Sequence, residues 1–179
     1  MRVILVLLNI VFNLPSFPTP VLFGKLRLQV DSAHSISGDP ADMPVFPLVL
    51  NDVTDISLLQ QPLWDLVEWQ TAKTDLLFGR RYGNFSVLHS PVDDGKIIEV
   101  PLTYDAIYDV NTAAGGNFAI GIGPGEGGWA VESESVLFNM PDTGGVAQLV
   151  FTLVPTIGRH HGKNPCKKIH YKGRKHKRD

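Results

Sequence analysis

The glycine-rich run Gly123–Gly128 is the first place where the sequence could do chemistry. Its residues, GPGEGG, match the pattern GxGxxG, which binds a dinucleotide pyrophosphate where a strand turns into a helix. The segment that follows, Trp129–Phe138 (WAVESESVLF), alternates as a strand does, so no helix N-terminus would face a phosphate. Glu126 would also repel one. We therefore interpret the run as a turn between strands.

Paired carboxylates are the second candidate. Asp105 and Asp109 lie four residues apart in a predicted helix and are expected to face the same way, whereas glycoside hydrolysis needs two carboxylates across a cleft. Asp93 and Asp94 lie in a predicted loop, where oxygen ligands suit calcium. Neither HExxH nor GxSxG occurs. The sequence predicts no enzyme and no catalytic residues, and names Asp93 and Asp94 as the candidate ligands if calcium binds.

Aromatic side chains are the third candidate, because their flat faces can pack against sugar rings in a carbohydrate-binding sandwich. The candidates are Trp64, Trp69, Trp129, Tyr82 and Tyr104. Trp64 is predicted to point into the core from its own strand. We take Trp69, Trp129 and Tyr82 as the candidate ligand-binding residues.

Charge divides the chain of 179 residues into two parts. Residues 1–158 hold 7 Lys and Arg against 17 Asp and Glu, a net charge of −10, whereas residues 159–179 carry a net charge of +8. A basic segment of this kind attracts anionic polymers or lipid headgroups by electrostatics. It lacks interleaved aromatic residues, so we expect no specific nucleic-acid binding. Its candidate contact residues are Lys167, Lys168, Lys172, Arg174, Lys175, Lys177 and Arg178.

The elements that must position these residues are mostly strands. Seventeen Gly and 13 Pro residues favour short strands and many turns, in a chain long enough for one domain. One short helix is predicted at about residues 104–114, capped by Thr103 and ended by Gly115. Asp31–Pro44 is predicted to be a loop, and Pro47 indicates an edge strand or a strand's first residues. The predicted strands are Lys25–Val30, Phe46–Asn51, Trp64–Gln70, Asn84–His89, Lys96–Leu102, Asn117–Ile122, Trp129–Phe138 and Ala147–Val154.

This pattern predicts a mainly β fold, a jelly-roll-like β-sandwich with one short helix. The apolar opening, Met1–Val11 (MRVILVLLNIV), allows two interpretations. It is either a signal peptide with a minimal basic start or a buried strand. It is too short to span a bilayer.

Four segments, taken in order, resemble the bacterial PEP-CTERM proteins, which are secreted substrates of exosortase. They are VFNLPSFPTPVLFGKLRLQV (Val11–Val30), FPLVLNDVTDISLL (Phe46–Leu59), DLLFGRRYGNFSV (Asp75–Val87) and IIEVPLTYDAIYDVNTAAGGNFAIGI (Ile97–Ile122). The resemblance implies a secreted or cell-surface sandwich that lacks its first strands, so that the apolar opening would be strand.

Met140–Gly144 (MPDTG) resembles the sorting signal of that family, but the apolar residues 146–157 number only 12 and include Pro155. They are too few for a transmembrane helix, so no transmembrane span is predicted. The resemblance therefore implies a sandwich over residues 1–139, a degenerate sorting-signal-like segment over 140–158 and a disordered basic tail over 159–179.

The function that the sequence and the resemblance together favour is non-enzymatic: a secreted or cell-surface module that binds exopolysaccharide or other glycans. One alternative is a glycan-active hydrolase or lyase. It requires carboxylates to converge in a pocket with a raised pKa on one of them, and its candidates are Asp65, Glu68, Asp75, Asp105 and Asp109. A second alternative is a nucleic-acid-binding or coat protein that uses the basic tail.

Overall fold

The computed structural model describes residues 8–34, 45–53, 79–125, 135–141, 144–155 and 168–172. Two antiparallel sheets face each other, and a single short helix accompanies them in this part of the chain. The prediction of a mainly β sandwich is confirmed, and the jelly-roll connectivity stays a prediction. The strands are β1 (Leu8–Asn13), β2 (Val21–His34), β3 (Val45–Asp52), β4 (Arg81–Leu88), β5 (Ile97–Pro101), β6 (Asn117–Pro124), β7 (Ser135–Asn139), β8 (Ala147–Leu153) and β9 (Lys168–Lys172), and the helix is α1 (Tyr104–Thr112).

The first sheet has the strand order β1-β6-β3-β4. Phe46, Leu48 and Leu50 of β3 point into the core, as alternation along a strand requires. β3 pairs with both β4 and β6, so the edge position suggested by Pro47 is wrong. Pro47 is instead near the start of the strand, and its missing N–H breaks no bond to β6 because that pairing begins at Leu48.

The second sheet has the order β5-β2-β8-β9, and β7 also pairs with β2. β2 confirms the strand predicted at Lys25–Val30 but runs on to His34. The loop predicted from Asp31 therefore starts too early, because β7 continues the ladder opposite Ser32, Ala33 and His34.

Two strands that follow residue 139, β8 and β9, pair into the second sheet. The Gly145 N–H donates to the Met140 carbonyl over 2.9 Å. β8 then pairs with β2 on one side and β9 on the other, and its Leu149 and Phe151 are fully buried. The tail predicted to be disordered likewise contributes β9. No helix in the described ranges is long and apolar enough to cross a membrane.

Helix α1 packs against β2 and β4 and buries Ala106, Ile107 and Val110. The predicted cap is confirmed, since the Thr103 hydroxyl oxygen accepts a hydrogen bond from the Ala106 N–H over 3.4 Å. The helix stops at Thr112, slightly before the predicted end, and Gly115 follows with a φ of +81°. The core between the sheets and the helix is built from side chains such as Phe12, Phe46, Phe151, Leu26, Leu28, Ile120 and Ile122.

Candidate functional site

Helix α1 and the start of β2 enclose an open groove of about 320 Å³. Tyr104 and Tyr108 are its most prominent side chains, with 80% and 59% of their surfaces exposed. None of the described residues that line it is charged. The lining residues are Val21, Leu22, Tyr104, Ile107, Tyr108, Asn111 and Thr112.

The helix places both tyrosines on the groove because of its own periodicity. Residues four apart stack on one face of a helix, about 6 Å apart along its axis. The apolar face with Ile107 and Val110 is turned into the core, so Tyr104 and Tyr108 emerge beside it. Their hydroxyl groups have no hydrogen-bond partner among the described residues, and solvent reaches both rings.

Asn111 fixes the helix to the strand that forms the other side of the groove. Its Oδ1 accepts a hydrogen bond from the Val21 N–H over 2.7 Å, and its Nδ2 donates to the Val21 carbonyl over 3.0 Å. The side chain thus pairs with the first residue of β2 as a neighbouring strand would. Because these bonds hold the two sides together, the groove is preformed.

The polar groups left for a ligand in the groove are hydroxyls. Thr112 Oγ1 donates to the Tyr108 carbonyl over 3.0 Å and keeps its acceptor lone pairs. The two tyrosine hydroxyls can both donate and accept. The groove therefore offers an apolar floor, two aromatic faces and neutral hydrogen-bonding groups.

A buried polar cluster lies beneath the same helix and includes Tyr82. The Tyr82 hydroxyl donates to Asp109 Oδ2 over 2.6 Å, and its ring stacks on Phe118 with centroids 5.5 Å apart. Only 3% of Tyr82 is exposed, so its prediction as a ligand-binding residue is wrong: the ring has no face to offer a sugar. Burial, together with the bond to Asp109, raises the pKa of Tyr82 above its ordinary value.

Arg80 closes this cluster from the solvent side. Its Nη2 lies 2.8 Å from Asp109 Oδ2, and its Nε donates to Asp52 Oδ2 over 3.4 Å. The charge of Asp109 raises the pKa of Arg80. The cluster ties β3, β4 and the helix together, so its geometry accounts for a structural role.

The two helix carboxylates do not form a pair. Asp105 is exposed, whereas Asp109 turns towards Tyr82 and Arg80. Asp109 is thus engaged by Tyr82 and Arg80, and Asp105 has no part in this cluster among the described contacts. Asp65, Glu68 and Asp75, the other carboxylates of the hydrolase alternative, lie outside the described residues.

Asp93 and Asp94 close the turn between β4 and β5. Asp93 Oδ2 accepts from the Leu88 N–H over 2.7 Å and its Oδ1 from Lys96 Nζ over 3.1 Å. Asp94 Oδ1 accepts from the Ser90 hydroxyl over 2.7 Å. Within the described ranges, no three His, Cys, Asp or Glu side chains are grouped to hold a metal ion. Both aspartates thus serve the turn.

The remaining candidates divide by position. Trp69 and Trp129, like Trp64, lie outside the described residues. Tyr104 lies in the groove, as a sugar-stacking residue should, and its partner Tyr108 was missed. The signal for Tyr108 was in the sequence, since YDAIY repeats a tyrosine at i, i+4.

Among the basic residues proposed for an anionic partner, Lys168 and Lys172 begin and end β9. The other five, Lys167, Arg174, Lys175, Lys177 and Arg178, lie outside the described residues.

No protein-family model matches this chain, and neither a curated protein nor a solved structure matches it significantly.

Proposed function

We propose that this protein is a non-enzymatic, secreted or cell-surface module that binds glycans, such as exopolysaccharide, in the groove between α1 and β2. The observation that carries the proposal is the pair Tyr104 and Tyr108, both exposed on one preformed groove. Large exposed aromatic side chains on a folded domain mark binding sites more often than chance surface.

A sugar ring suits this pair of side chains. The C–H groups on one face of a pyranose pack on an aromatic ring, while its hydroxyls exchange hydrogen bonds with groups at the ring's edge. The two tyrosines, about 6 Å apart along the helix, can each hold one of two consecutive sugar units. The hydroxyl groups of Tyr104, Tyr108 and Thr112, which line the same groove, can exchange hydrogen bonds with the sugar hydroxyls.

The groove favours binding over hydrolysis. Its lining, among the described residues, contains no carboxylate, and hydrolysis of a glycosidic bond needs two of them across the scissile bond. Asp109, on the same helix, is ion-paired with Arg80 and hydrogen-bonded to Tyr82. A role at the cell surface is supported by the resemblance of four segments, in the same order along the chain, to PEP-CTERM proteins.

The test is a glycan array with the full chain, followed by titration calorimetry on any glycan that binds. Tyr104→Ala and Tyr108→Ala should each weaken binding about tenfold, because losing one aromatic contact costs roughly 1 kcal/mol or more. Tyr104→Phe, which keeps the ring, should stay within about threefold of the wild type by the same reasoning. Trp69→Ala and Trp129→Ala in the same series test the two predicted tryptophans.

Leu137→Ala is the matched control, because Leu137 is an exposed apolar residue of β7 outside the groove. It should leave glycan affinity unchanged. Folded protein that binds no glycan, or binding that both tyrosine-to-alanine variants preserve, would contradict the proposal.

A further inference from the structure

On the outer face of the second sheet, residues that lie opposite each other on neighbouring strands form three rows across the strands. Between β2 and β8, Phe23 is opposite Thr152, Lys25 is opposite Val150 and Arg27 is opposite Gln148. Residues directly opposite each other in an antiparallel pair share one face of the sheet. Leu26 and Leu28, which alternate with these residues, are buried in the core. The rows therefore lie on the side away from the core.

β9 extends the same three rows with basic residue types. Its register places Lys168 opposite Thr152, His170 opposite Val150 and Lys172 opposite Gln148. Rows that carry Lys25 and Arg27 on β2 thus end on His170 and Lys172 at the edge strand.

The described contacts on this face leave hydrogen-bonding capacity for a ligand. Glu99 of β5 forms ion pairs with Lys25 and with Arg27, whose Nε lies 3.2 Å from Glu99 Oε1. Arg27 Nη1 also donates to Gln148 Oε1 over 3.3 Å. A guanidinium carries five N–H donors, so Arg27 has donors beyond these two contacts. Lys25, Arg27 and Glu99 are all partly exposed.

The charge of this surface is opposite to that of the rest of the body. Lys25, Arg27, Lys168 and Lys172 outnumber Glu99 on it, while residues 1–158 carry −10 overall. A cationic face on an acidic body attracts and orients a polyanion.

We infer that this cationic sheet face binds a linear acidic polysaccharide, a polymer of uronic acid units. Arg27 offers paired donors that match a carboxylate. Gln148 and Thr152 offer the neutral hydrogen-bonding groups that sugar hydroxyls need. Glu99 lies within the cationic face and would oppose a dense phosphate chain, so nucleic acid fits this surface less well.

The spacing of the charges suits an extended polymer. Lys25 and Arg27 are two residues apart on β2, about 6.7 Å along the strand, and β2 and β9 are about 9.5 Å apart across β8. A stiff chain lying across the strands would meet one cation on β2 and one on β9. This surface is separate from the tyrosine groove, so the inference does not rest on the proposed glycan site.

The experiment measures binding of the full chain to polygalacturonate, with a neutral glucan and a single-stranded DNA as comparison probes. The double variants Lys25→Gln/Arg27→Gln and Lys168→Gln/Lys172→Gln should each weaken polygalacturonate binding at least fivefold at low salt. The matched control Lys96→Gln removes a charge from the turn before β5 and should change affinity less than twofold. Tyr104→Ala should leave polygalacturonate binding intact.

Raising the salt concentration should weaken polygalacturonate binding of the wild type steeply and that of each double variant less steeply, because fewer ion pairs are screened. Thermal unfolding of each variant confirms that it is folded. Three results would overturn the inference: no binding to polygalacturonate, binding lost only on Lys175→Gln/Lys177→Gln in the tail, or tighter binding to the DNA.

Discussion

The two sheets of this sandwich differ in how far the side chains on their outer faces are buried. On the first sheet, Val49 and Asn51 point away from the core and yet are only 4% and 1% exposed, so this face is covered. On the second sheet, the corresponding positions are Lys25, Arg27 and Gln148, all partly open to solvent. The contrast holds for the central strands: β3 is buried on both faces, whereas β2 keeps polar, partly exposed side chains on its outer face. It is not complete, because Asn84 on β4 is exposed and Val150 on β8 is only 6% exposed.

The difference explains why one strand shows a clear pattern in the sequence and the other does not. KLRLQV (Lys25–Val30) alternates because only one of its faces is buried, whereas FPLVLN (Phe46–Asn51) is almost continuously apolar because both are. A continuous apolar segment such as FPLVLN therefore indicates a strand that is covered on both faces.

The largest expected loss of stability comes from placing a charge on the covered outer face of β3, compared with the same change on the outer face of β2. Val49→Lys should lower the free energy of unfolding by about 3 kcal/mol or more, because it buries an unpaired ammonium group. Gln29→Lys, on the outer face of β2, should change it by less than about 0.5 kcal/mol. Urea unfolding measures both, and similar costs at the two positions would remove the contrast between the faces.

A smaller effect is expected where the first sheet is tied to α1. Tyr82→Phe deletes the bond to Asp109 and should cost about 1 kcal/mol at neutral pH, because Asp109 Oδ2 loses one donor but keeps its contact with Arg80. Leu22→Ala, an exposed position beside the same helix, should cost less than about 0.5 kcal/mol. Urea unfolding of both variants checks the difference, and equal costs would show that the bond to Asp109 adds nothing to the packing around it.

The same residue predicts an alkaline limit to stability. The pKa of Tyr82 is raised above 10.0 by folding, so the unfolded chain releases this proton first as pH rises. The contribution of this raised pKa to the free energy of unfolding is complete below pH 10 and declines as the pH rises above it. Between neutral pH and about pH 11, the Tm should fall less steeply for Tyr82→Phe than for the wild type. Equal slopes would show that Tyr82 does not carry the effect.

The smallest effect on stability is expected at Glu99. Glu99→Gln removes two exposed ion pairs of the second sheet, which should cost no more than about 0.5 kcal/mol. The net charge of the outer face becomes more positive, so binding of polygalacturonate should tighten. Weaker binding after this change would mean that Glu99 organises the face instead of opposing its ligand.

Local signals in the sequence predicted most of the described elements. Thr103 caps the helix as its hydroxyl and position indicate, and the strands around Phe46 and Asn84 lie where they were expected. Long-range pairing was not visible. The sequence predicts a strand at Ala147–Val154, but the resemblance of Met140–Gly144 to a sorting signal also places it in a sorting-signal-like segment. Only its pairing with β2 shows it to be core.

The error at Tyr82 has a local cause. The register between β3 and β4 shifts where Leu50 is opposite Gly83 and Asn51 is opposite Arg81, which leaves Tyr82 as an extra residue in β4. A bulge redirects side chains. Gly83 is the residue type that often marks one inside a strand, but it does not show that Tyr82 then points into the core. Tyr108, by contrast, could have been found from its spacing to Tyr104.

The pairing of β2 with β8 also sets when this protein can fold. Thr19, just before β2, donates to the carbonyl of Val154, 135 residues away, so the long β2 lacks a central neighbour until nearly the whole chain has been made. Contacts that distant slow folding and leave a 14-residue strand without that neighbour in the growing chain. During synthesis, β2 should therefore depend on chaperones or on staying unfolded until β8 arrives.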